Sequence, residues 1–218
     1  MRTFEDTYRH KGMRKKLVDA IQKKGIRDEK VLNAIDKIPR HFFLDSAFDE
    51  VAYEDRAFPI AEKQTISQPY TVAYQTQLLE VKPFHKVLEI GTGSAYQACI
   101  LAELGAQVYT IERQRKLFDM NKKFDYLKRY PGIKFFYGDG YEGLPTFAPF
   151  DRVLITAAAP EVPTKLIDQL KKEGMMVIPM GTGNVQVMKR LMRLENGEIK
   201  VEVFDKFSFV PMLGGKNE

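Results

Sequence analysis

Short apolar runs alternate with segments of helical periodicity through the middle of the chain. Helices are predicted near 94–104, 114–129 and 163–172. Short apolar strands separated by helices are typical of a parallel sheet that is covered on both faces. The pattern therefore predicts an α/β fold with a doubly wound, mostly parallel sheet. The predicted strands are KVLEI, QVYTIE, IKFFYG, DRVLIT and MMVIPM.

The two ends of the chain have different patterns. Residues 1–60 predict a helical N-terminal cap with two helices, the second of them capped by Asp28. Residues 184–218 alternate apolar and polar positions in two runs, and Asn196-Gly197 between the runs predicts a hairpin turn. We therefore predict a single domain, in which a cofactor-binding α/β core (61–183) ends in antiparallel edge strands that also form a substrate wall.

Composition supports a globular enzyme. The chain has 218 residues, of which 44% are hydrophobic and 29% charged, so a substantial core can form. One cysteine, Cys99, cannot form an internal disulfide. The amino terminus lacks the apolar centre of a signal peptide, and no run approaches the roughly 18 apolar residues of a membrane span. We expect a soluble cytoplasmic protein, and a monomer.

The positive charge is concentrated near the amino terminus. Nine Lys or Arg residues and three Asp or Glu residues lie between Arg9 and Lys30, a local surplus larger than the net charge of +5. Met13, Leu17 and Ile21 recur there at helical spacing, so the lysines are interpreted as the solvated face of an amphipathic helix. An anionic partner for this face is the alternative. We expect neither a nucleic-acid nor a membrane partner.

The stretch VLEIGTGSAYQ places Gly91 and Gly93 directly after a predicted strand. The first strand-to-helix turn of a doubly wound sheet is the usual cofactor site, although a plain turn is the alternative. A dinucleotide fingerprint needs a third glycine where the bulky Tyr96 stands. A phosphate-binding P-loop needs a Lys followed by Ser or Thr, which this turn lacks. These observations favour a nucleoside cofactor without a phosphate bridge.

Acidic residues lie at or directly after the ends of three successive predicted strands. Glu89 precedes the glycines and suits a cofactor with an ammonium and a sulfonium group. Glu112 lies 19 residues after Gly93, where a carboxylate can accept both ribose hydroxyls, and Asp139-Gly140 follows the third strand. Taken alone, Glu112 could be a helix-start acid and Asp139-Gly140 a turn. Together the three acids predict S-adenosylmethionine as the cofactor.

The chain closely resembles the protein-L-isoaspartate O-methyltransferase family over nearly its whole length. The glycine turn is shared by many methyltransferases, whereas TISQPY, AAAPEVP and FVPML together are highly specific. One departure is Ala95, which stands where the family usually has glycine. The matching segments are QTISQPY, VLEIGTGSAYQ, YTIER, GDGYEGLP, FDRVLITAAAPEVP, MVIPMG and FVPML.

The resemblance implies a Rossmann-like methyltransferase fold, with S-adenosylmethionine as cofactor and proteins or peptides that contain isoaspartyl residues as substrates. It implies methyl transfer to the α-carboxylate of the isoaspartyl residue, which begins repair to a normal aspartyl linkage. The cofactor-binding residues that it implies are Glu89, Gly91, Thr92, Gly93, Ser94, Tyr96, Gln97, Glu112, Arg113, Asp139, Gly140 and Thr156.

The resemblance places Ser67 at the active site, with Ile66, Gln68 and Val210 as further substrate-binding residues. A carboxylate with a pKa near ~4 needs no general base, and all three histidines lie outside the motifs. We predict that the site aligns the carboxylate and excludes water, with no metal. As an alternative, Ser67 or Gln68 merely caps a helix predicted over 69–80.

Three other classes of protein share parts of this pattern. A methyltransferase acting on RNA or a small molecule would share the glycine turn and Glu112, but not TISQPY and FVPML. A nicotinamide oxidoreductase would have to tolerate Tyr96, and a non-catalytic protein could bind the cofactor without consuming it. Finally, we expect Ala95 to have negative φ in the first turn of a helix, where alanine is unstrained.

Overall fold

A computed structural model describes residues 4–218, so the first three residues of the predicted cap lie outside it. Both cap helices form, and the first begins earlier than the predicted region near 13–24, because Thr7 and His10 build a capping box at its start. Asp28 caps the second helix by accepting from the backbone N–H groups of Lys30 and Val31, as predicted. Within residues 4–218 the α-helices are α1 (Tyr8–Lys23), α2 (Glu29–Lys37), α3 (Pro69–Leu79), α4 (Tyr96–Glu103), α5 (Arg115–Lys123) and α6 (Thr164–Asp168).

The strands form one large sheet and one short ribbon. The sheet has the order β5-β4-β3-β6-β7-β8-β9; its first five strands are parallel, and β8 and β9 are antiparallel. The doubly wound, mostly parallel fold with an antiparallel edge is confirmed. The described strands are β1 (Phe58–Pro59), β2 (Thr65–Ile66), β3 (Lys86–Ile90), β4 (Gln107–Glu112), β5 (Ile133–Tyr137), β6 (Phe150–Ile155), β7 (Leu170–Met180), β8 (Gln186–Arg193) and β9 (Ile199–Phe207).

Two predicted helices are shorter than expected. The helix predicted over 163–172 is limited to α6, because Leu170 already pairs with Phe150 as the start of β7. The helix predicted over 114–129 ends at Lys123 and is followed by a 3-10 turn over Asp125–Arg129. In both places tertiary pairing and packing overrule the helical periodicity.

The sheet separates two clusters of buried side chains. Alternate residues of β3 face opposite ways, so Val87 belongs to the cluster shared with α2, α3 and α4, and Leu88 to the cluster that includes Leu166 of α6. Cap residues such as Ile35 lie in the first cluster. The cap therefore packs on the same side of the sheet as the helix that follows the glycine turn. The division into one domain with three zones stays a prediction.

The hairpin between β8 and β9 forms at the predicted position. Gly197 has φ of +87°, and the Leu194 N–H donates to the Glu198 carbonyl at 2.8 Å. Glycine adopts this left-handed conformation without a steric penalty. Separately, none of the helices in residues 4–218 combines the length and apolar character that crossing a bilayer requires.

Candidate active site

A cavity of about 820 Å³ opens where β3, β4 and β6 end. This is the edge at which doubly wound sheets bind their ligands. Of the predicted site residues, two cofactor residues, Glu89 and Asp139, and the substrate residue Gln68 are not part of its lining. The predicted residues that do line it are Ile66, Ser67, Gly91, Thr92, Gly93, Ser94, Tyr96, Gln97, Glu112, Arg113, Gly140, Thr156 and Val210.

The glycine turn needs glycine at its first position. Gly91 has φ of +95°, and a Cβ atom placed on it would lie 2.6 Å from Thr156 Oγ1. The Thr156 hydroxyl donates to the carbonyls of Ile90 and Gly91, both at 2.9 Å. The turn after β3 is thereby fastened to the end of β6, which brings the backbone to the cavity surface.

Glu112 holds the other side of the turn. Glu112 is 4% exposed, and its carboxylate accepts from the Gly93 N–H and the Gln114 N–H, both at 2.8 Å. Burial raises the pKa of Glu112, and the backbone donors, led by Gln114 and Gly93, act in the opposite direction. Each carboxylate oxygen uses one acceptor position in these bonds, which leaves further positions for ligand hydroxyls.

Glu89 lies beneath the turn. It is fully buried, and its Oε2 accepts from the Thr110 hydroxyl at 2.5 Å. That hydroxyl lies 2.6 Å from Thr92 Oγ1, which lines the cavity. Burial raises the pKa of Glu89 to about 8, so the carboxyl is mainly protonated at neutral pH. Glu89 itself is not part of the cavity lining, and the hydroxyls of Thr110 and Thr92 connect it to the cavity, so its expected direct contact with the cofactor stays a prediction.

Two other predicted cofactor residues bind the C-terminal segment. Asp139 Oδ2 accepts from the Gly215 N–H at 2.6 Å. Arg113 donates from Nε to the Gly215 carbonyl at 3.0 Å and from Nη2 to the Gly214 carbonyl at 3.2 Å. These bonds hold the end of the chain beside the cavity, where Leu213 is part of the lining.

Ala95 contradicts the expected helical conformation. It precedes α4 with φ of +68° and ψ of 9°, in the left-handed region, and it is fully buried. Its N–H donates to the Thr92 carbonyl at 2.8 Å, and its carbonyl accepts from the Cys99 N–H at 3.0 Å. The prediction of negative φ was wrong because the tight turn, and not the helix, sets this residue. Left-handed backbone favours glycine, which explains the residue usual in the resembling family.

Ser67 lies between two cavities. A groove of about 1060 Å³ adjoins the first cavity, and Gln68 lines this groove. Thr65, Ser67, Thr156 and Val210 line both spaces. Ser67 therefore stands where a ligand in one cavity would meet a ligand in the other.

Neither Ser67 nor Gln68 caps α3 through its side chain. The cap comes from Asp55, whose Oδ1 accepts from the Tyr70 N–H at 2.8 Å. Gln68 donates from Nε2 to the Asp55 carbonyl at 3.0 Å and to Asp55 Oδ2 at 3.1 Å. The capping alternative for Ser67 is thus wrong, and the helix N-terminus is already occupied by a carboxylate.

Comparison with known proteins decides the family. The family model described as protein-L-isoaspartate(D-aspartate) O-methyltransferase matches residues 12–217. The chain belongs to the protein-L-isoaspartate(D-aspartate) O-methyltransferase family. It is 54% identical to the protein-L-isoaspartate O-methyltransferase of Christiangramia forsetii, covering 98% of this chain and all of the relative. It is 53% identical to the protein-L-isoaspartate O-methyltransferase of Flavobacterium johnsoniae, and the match covers 98% of this chain and 100% of the relative.

Solved structures of isoaspartate O-methyltransferases share the fold of this chain. A protein-L-isoaspartate O-methyltransferase superimposes with a TM-score of 0.82 at 27% identity, covering 92% of this chain and 66% of the other. A Plasmodium falciparum protein assigned to the same methyltransferase, solved in complex with S-adenosyl-L-homocysteine, superimposes with a TM-score of 0.79 at 24% identity, covering 92% and 98%. The Rossmann-like methyltransferase fold is confirmed.

Some of the residues that line the first cavity were not predicted from the sequence. Thr65, Pro211 and Met212 line the cavity and lie inside or beside the TISQPY and FVPML motifs, which could have indicated them. Arg40 and Asp55, which contact the Ser67 loop, lie outside every motif and carry no such signal.

One cluster away from the cavity has metal-ligand chemistry. Potential ligand atoms of Asp6, His10 and His41 lie within 4.8 Å of one another. Both carboxylate oxygens of Asp6, however, accept from the Arg14 guanidinium at 3.0 Å, which places a positive charge where a cation would bind. The predicted absence of a metal stays a prediction.

Proposed function

We propose that this chain transfers a methyl group from S-adenosylmethionine to the α-carboxylate of L-isoaspartyl residues in proteins and peptides, and so begins their repair. The observation that carries the proposal is the junction of the two cavities at Ser67 and Val210. Together with membership of the family, this junction supports one cavity for the cofactor and the adjoining groove for the substrate.

The first cavity fits a nucleoside cofactor without phosphates. It lies at the carboxyl ends of the parallel strands, where doubly wound sheets bind nucleoside cofactors. Glu112 offers carboxylate acceptors for ribose hydroxyls, and Gly91 and Gly93 leave backbone at the surface. The one basic residue among the lining residues in 4–218 is Arg113, and it is engaged with Gly214 and Gly215. That arrangement suits a cofactor without a pyrophosphate.

The remaining cofactor contacts are proposed from the lining. Thr92, Ser94, Tyr96, Gln97, Gly140 and Thr156 would surround the cofactor. Glu89 would act from beneath, through Thr110 and Thr92, and Asp139 would shape the wall through Gly215. Direct contacts of Glu89 and Asp139 with the cofactor stay predictions.

The second groove fits an anionic peptide. Among the residues in 4–218 that line it, Lys206 is the one that carries a charge, and no carboxylate faces it there. Ser67 would orient the substrate carboxylate by a hydrogen bond, with the backbone of Ile66 and Val210 on either side. Gln68, held by Asp55, would line the path of the peptide.

The chemistry asks little of the side chains. S-adenosylmethionine supplies an electrophilic methyl group on a sulfonium. A carboxylate oxygen of the substrate forms the new bond to that methyl, the sulfur keeps the electron pair of the broken bond, and no proton moves. Because the carboxyl has a pKa near ~4, it is ionised without a base. The protein would contribute alignment along the line from oxygen through methyl to sulfur.

We further propose that the protein acts as a cytoplasmic monomer without a nucleic-acid partner. Its single cysteine is buried, which suits a reducing compartment. Part of the positive charge near the amino terminus is neutralised within the chain, since Arg9 pairs with Glu50 and Lys24 with Asp55. Size-exclusion chromatography with light scattering should give the mass of one chain.

The deciding experiment uses paired peptides that differ only in one linkage. Labelled methyl from S-adenosylmethionine should be transferred to the isoaspartyl peptide as a base-labile ester, and not to its aspartyl twin. A parallel assay with bulk RNA tests the alternative substrate class. Equal labelling of the two peptides, or labelling of RNA alone, would contradict the proposal.

A further inference from the structure

Arg40 is among the largest fully buried side chains in residues 4–218. It begins the 3-10 turn Arg40–Phe43 that follows α2 in the cap. Its Nη2 donates to the Ser67 carbonyl at 2.8 Å and more weakly to the Arg56 carbonyl at 3.4 Å. The guanidinium carbon lies 5.1 Å from the centre of the Tyr96 ring. One side chain of the cap therefore touches both the Ser67 loop and the first residue of α4.

Burying this guanidinium costs hydration free energy. Burial lowers the pKa of Arg40 to about 10, opposed by Tyr96 and Asp55, so the group stays charged at neutral pH. In the described part of the chain Nε and Nη1 have no hydrogen-bond partner. No carboxylate of residues 4–218 forms an ion pair with it. A buried charge with so few partners is a poor stabilising element, and an apolar side chain of similar size often serves stability as well.

The two contacts of Arg40 lie on different walls of the site. Ser67 lines both the cofactor cavity and the adjoining groove, whereas Tyr96 lines the cofactor cavity and is 1% exposed. A guanidinium is planar and rigid, so its bond to the Ser67 carbonyl and its packing on the Tyr96 ring constrain each other. The separation between the two walls then depends on Arg40.

We propose that Arg40 is a positioning residue for methyl transfer, which holds the Ser67 loop at a fixed place against Tyr96. The inference rests on the function proposed above. It assigns to a cap residue, distant in sequence from every motif, control over the alignment of substrate and cofactor.

The test compares Arg40→Met, Arg40→Lys and the control Arg14→Met. Arg14 is also a buried cap arginine, 5% exposed, but it binds Asp6 and Tyr53 and does not line either cavity. For Arg40→Met we expect kcat with the isoaspartyl peptide to fall about tenfold or more, and Kd for S-adenosylmethionine to stay within about threefold. Arg40→Lys should recover part of kcat. Arg14→Met should lower Tm and keep kcat, per folded protein, within about twofold.

Hydrogen exchange gives a measure that does not depend on activity. In Arg40→Met the amides of residues 65–68 should exchange faster than in the parent, and in Arg14→Met they should not. If the parent fails to methylate the isoaspartyl peptide, the proposed function fails, and the exchange data still decide the role of Arg40.

Several outcomes would overturn the inference. The inference fails if folded Arg40→Met has the kcat of the parent, or if its amides at residues 65–68 exchange as slowly as in the parent. It also fails if weaker cofactor binding explains the whole fall in the activity of Arg40→Met. An equal loss of kcat in Arg14→Met would overturn it as well. If Arg40→Met does not fold, Arg40→Lys decides: we expect kcat lowered at least about threefold, and parental kcat with parental exchange would refute the role.

Discussion

The two walls of the site are built in different ways. The cofactor wall consists mainly of adjacent strand ends, where Glu112 accepts from the N–H groups of Gly93 and Gln114. Asp139 and Arg113 add bonds from this wall to the C-terminal segment. The substrate wall, which here means the Ser67 loop together with Val210, joins distant segments of the chain. Its Ser67 loop is held by two side chains from the cap, Arg40 and Asp55. The sheet topology sets most of the first wall, whereas the second depends on side chains from the cap. Changes in the first should mainly alter cofactor affinity, and changes in the second should mainly alter turnover.

The largest effect is expected on the cofactor wall. Glu112→Ala would remove two charge-assisted hydrogen bonds to ribose, each contributing about 1.5–3 kcal/mol, so affinity for S-adenosylmethionine should fall at least about tenfold. Isothermal calorimetry measures this directly. Glu142→Ala, which removes an exposed carboxylate paired with Lys165, is the control and should bind normally. An unchanged Kd in folded Glu112→Ala would remove Glu112 from the site.

Beneath the same wall, Glu89 should make stability depend on pH. The folded chain holds its proton up to a pKa of about 8, whereas the unfolded chain releases it near 4.5. Between these values the folded state binds more protons, so the free energy of unfolding falls as pH rises. Between about pH 5.5 and 7.5, the free energy of unfolding of the parent should fall by about 2 kcal/mol because of Glu89, and Glu89→Gln should not show this fall. Urea unfolding at several pH values tests this, and parallel pH profiles of parent and variant would contradict it.

On the substrate wall, Ser67→Ala should act on turnover. Losing one orienting hydrogen bond should lower kcat by about tenfold, or about 1.4 kcal/mol, with Kd for the cofactor nearly unchanged. Because Asp55 and not Ser67 caps α3, Tm should hardly change. Thr71→Ala, in the same groove but on the helix, is a control for general disturbance. Full activity with reduced stability would make Ser67 a structural residue.

The smallest effect is expected at Ala95. An alanine whose backbone lies in the left-handed region is strained by about 1–2 kcal/mol. Replacing it with glycine removes this strain but stabilises the unfolded chain, through its greater entropy, by about 0.4–1 kcal/mol. Ala95→Gly should therefore be as stable as the parent or more stable by up to about 1.6 kcal/mol. Because the Ala95 methyl does not line the cavity, cofactor affinity should stay within about tenfold.

The control for Ala95 lies in the helix that follows it. Ala98 is also fully buried but sits inside α4, where glycine is less favourable than alanine by about 1 kcal/mol. Ala98→Gly should therefore lower Tm. Equal destabilisation by both changes would show that the backbone at Ala95 is not strained.

Much of the cofactor wall could be predicted from the sequence. The segments KVLEI and QVYTIE coincide with β3 and β4, and the carboxyl ends of parallel strands meet at one edge. Gly91 and Glu112 therefore followed from the pattern alone. The specific loop motifs then indicated Ser67 and Val210, which lie together at the junction of the cavities.

The missed features depend on information that local periodicity lacks. Whether an acid at a strand end faces the cavity or the interior depends on side-chain direction, which is why Glu89 proved to be buried under the turn. Asp139 bonds to Gly215, and Arg40 to Ser67, across long stretches of chain. Ala95 adopts left-handed backbone because a tight turn precedes the helix, although alanine itself favours helix.

The carboxylate of Asp55 at the start of α3 bears on how reactive a bound substrate can be. A helix N-terminus attracts carboxylates and lowers their energy, and it lies here beside Ser67. A substrate carboxylate held there would be stabilised before reaction and would become a weaker nucleophile. Asp55 already accepts the Tyr70 N–H and so competes for that position. With the substrate carboxylate at Ser67, as proposed, its oxygen would lie outside this helix terminus, and its lone pair would stay available to attack the methyl group.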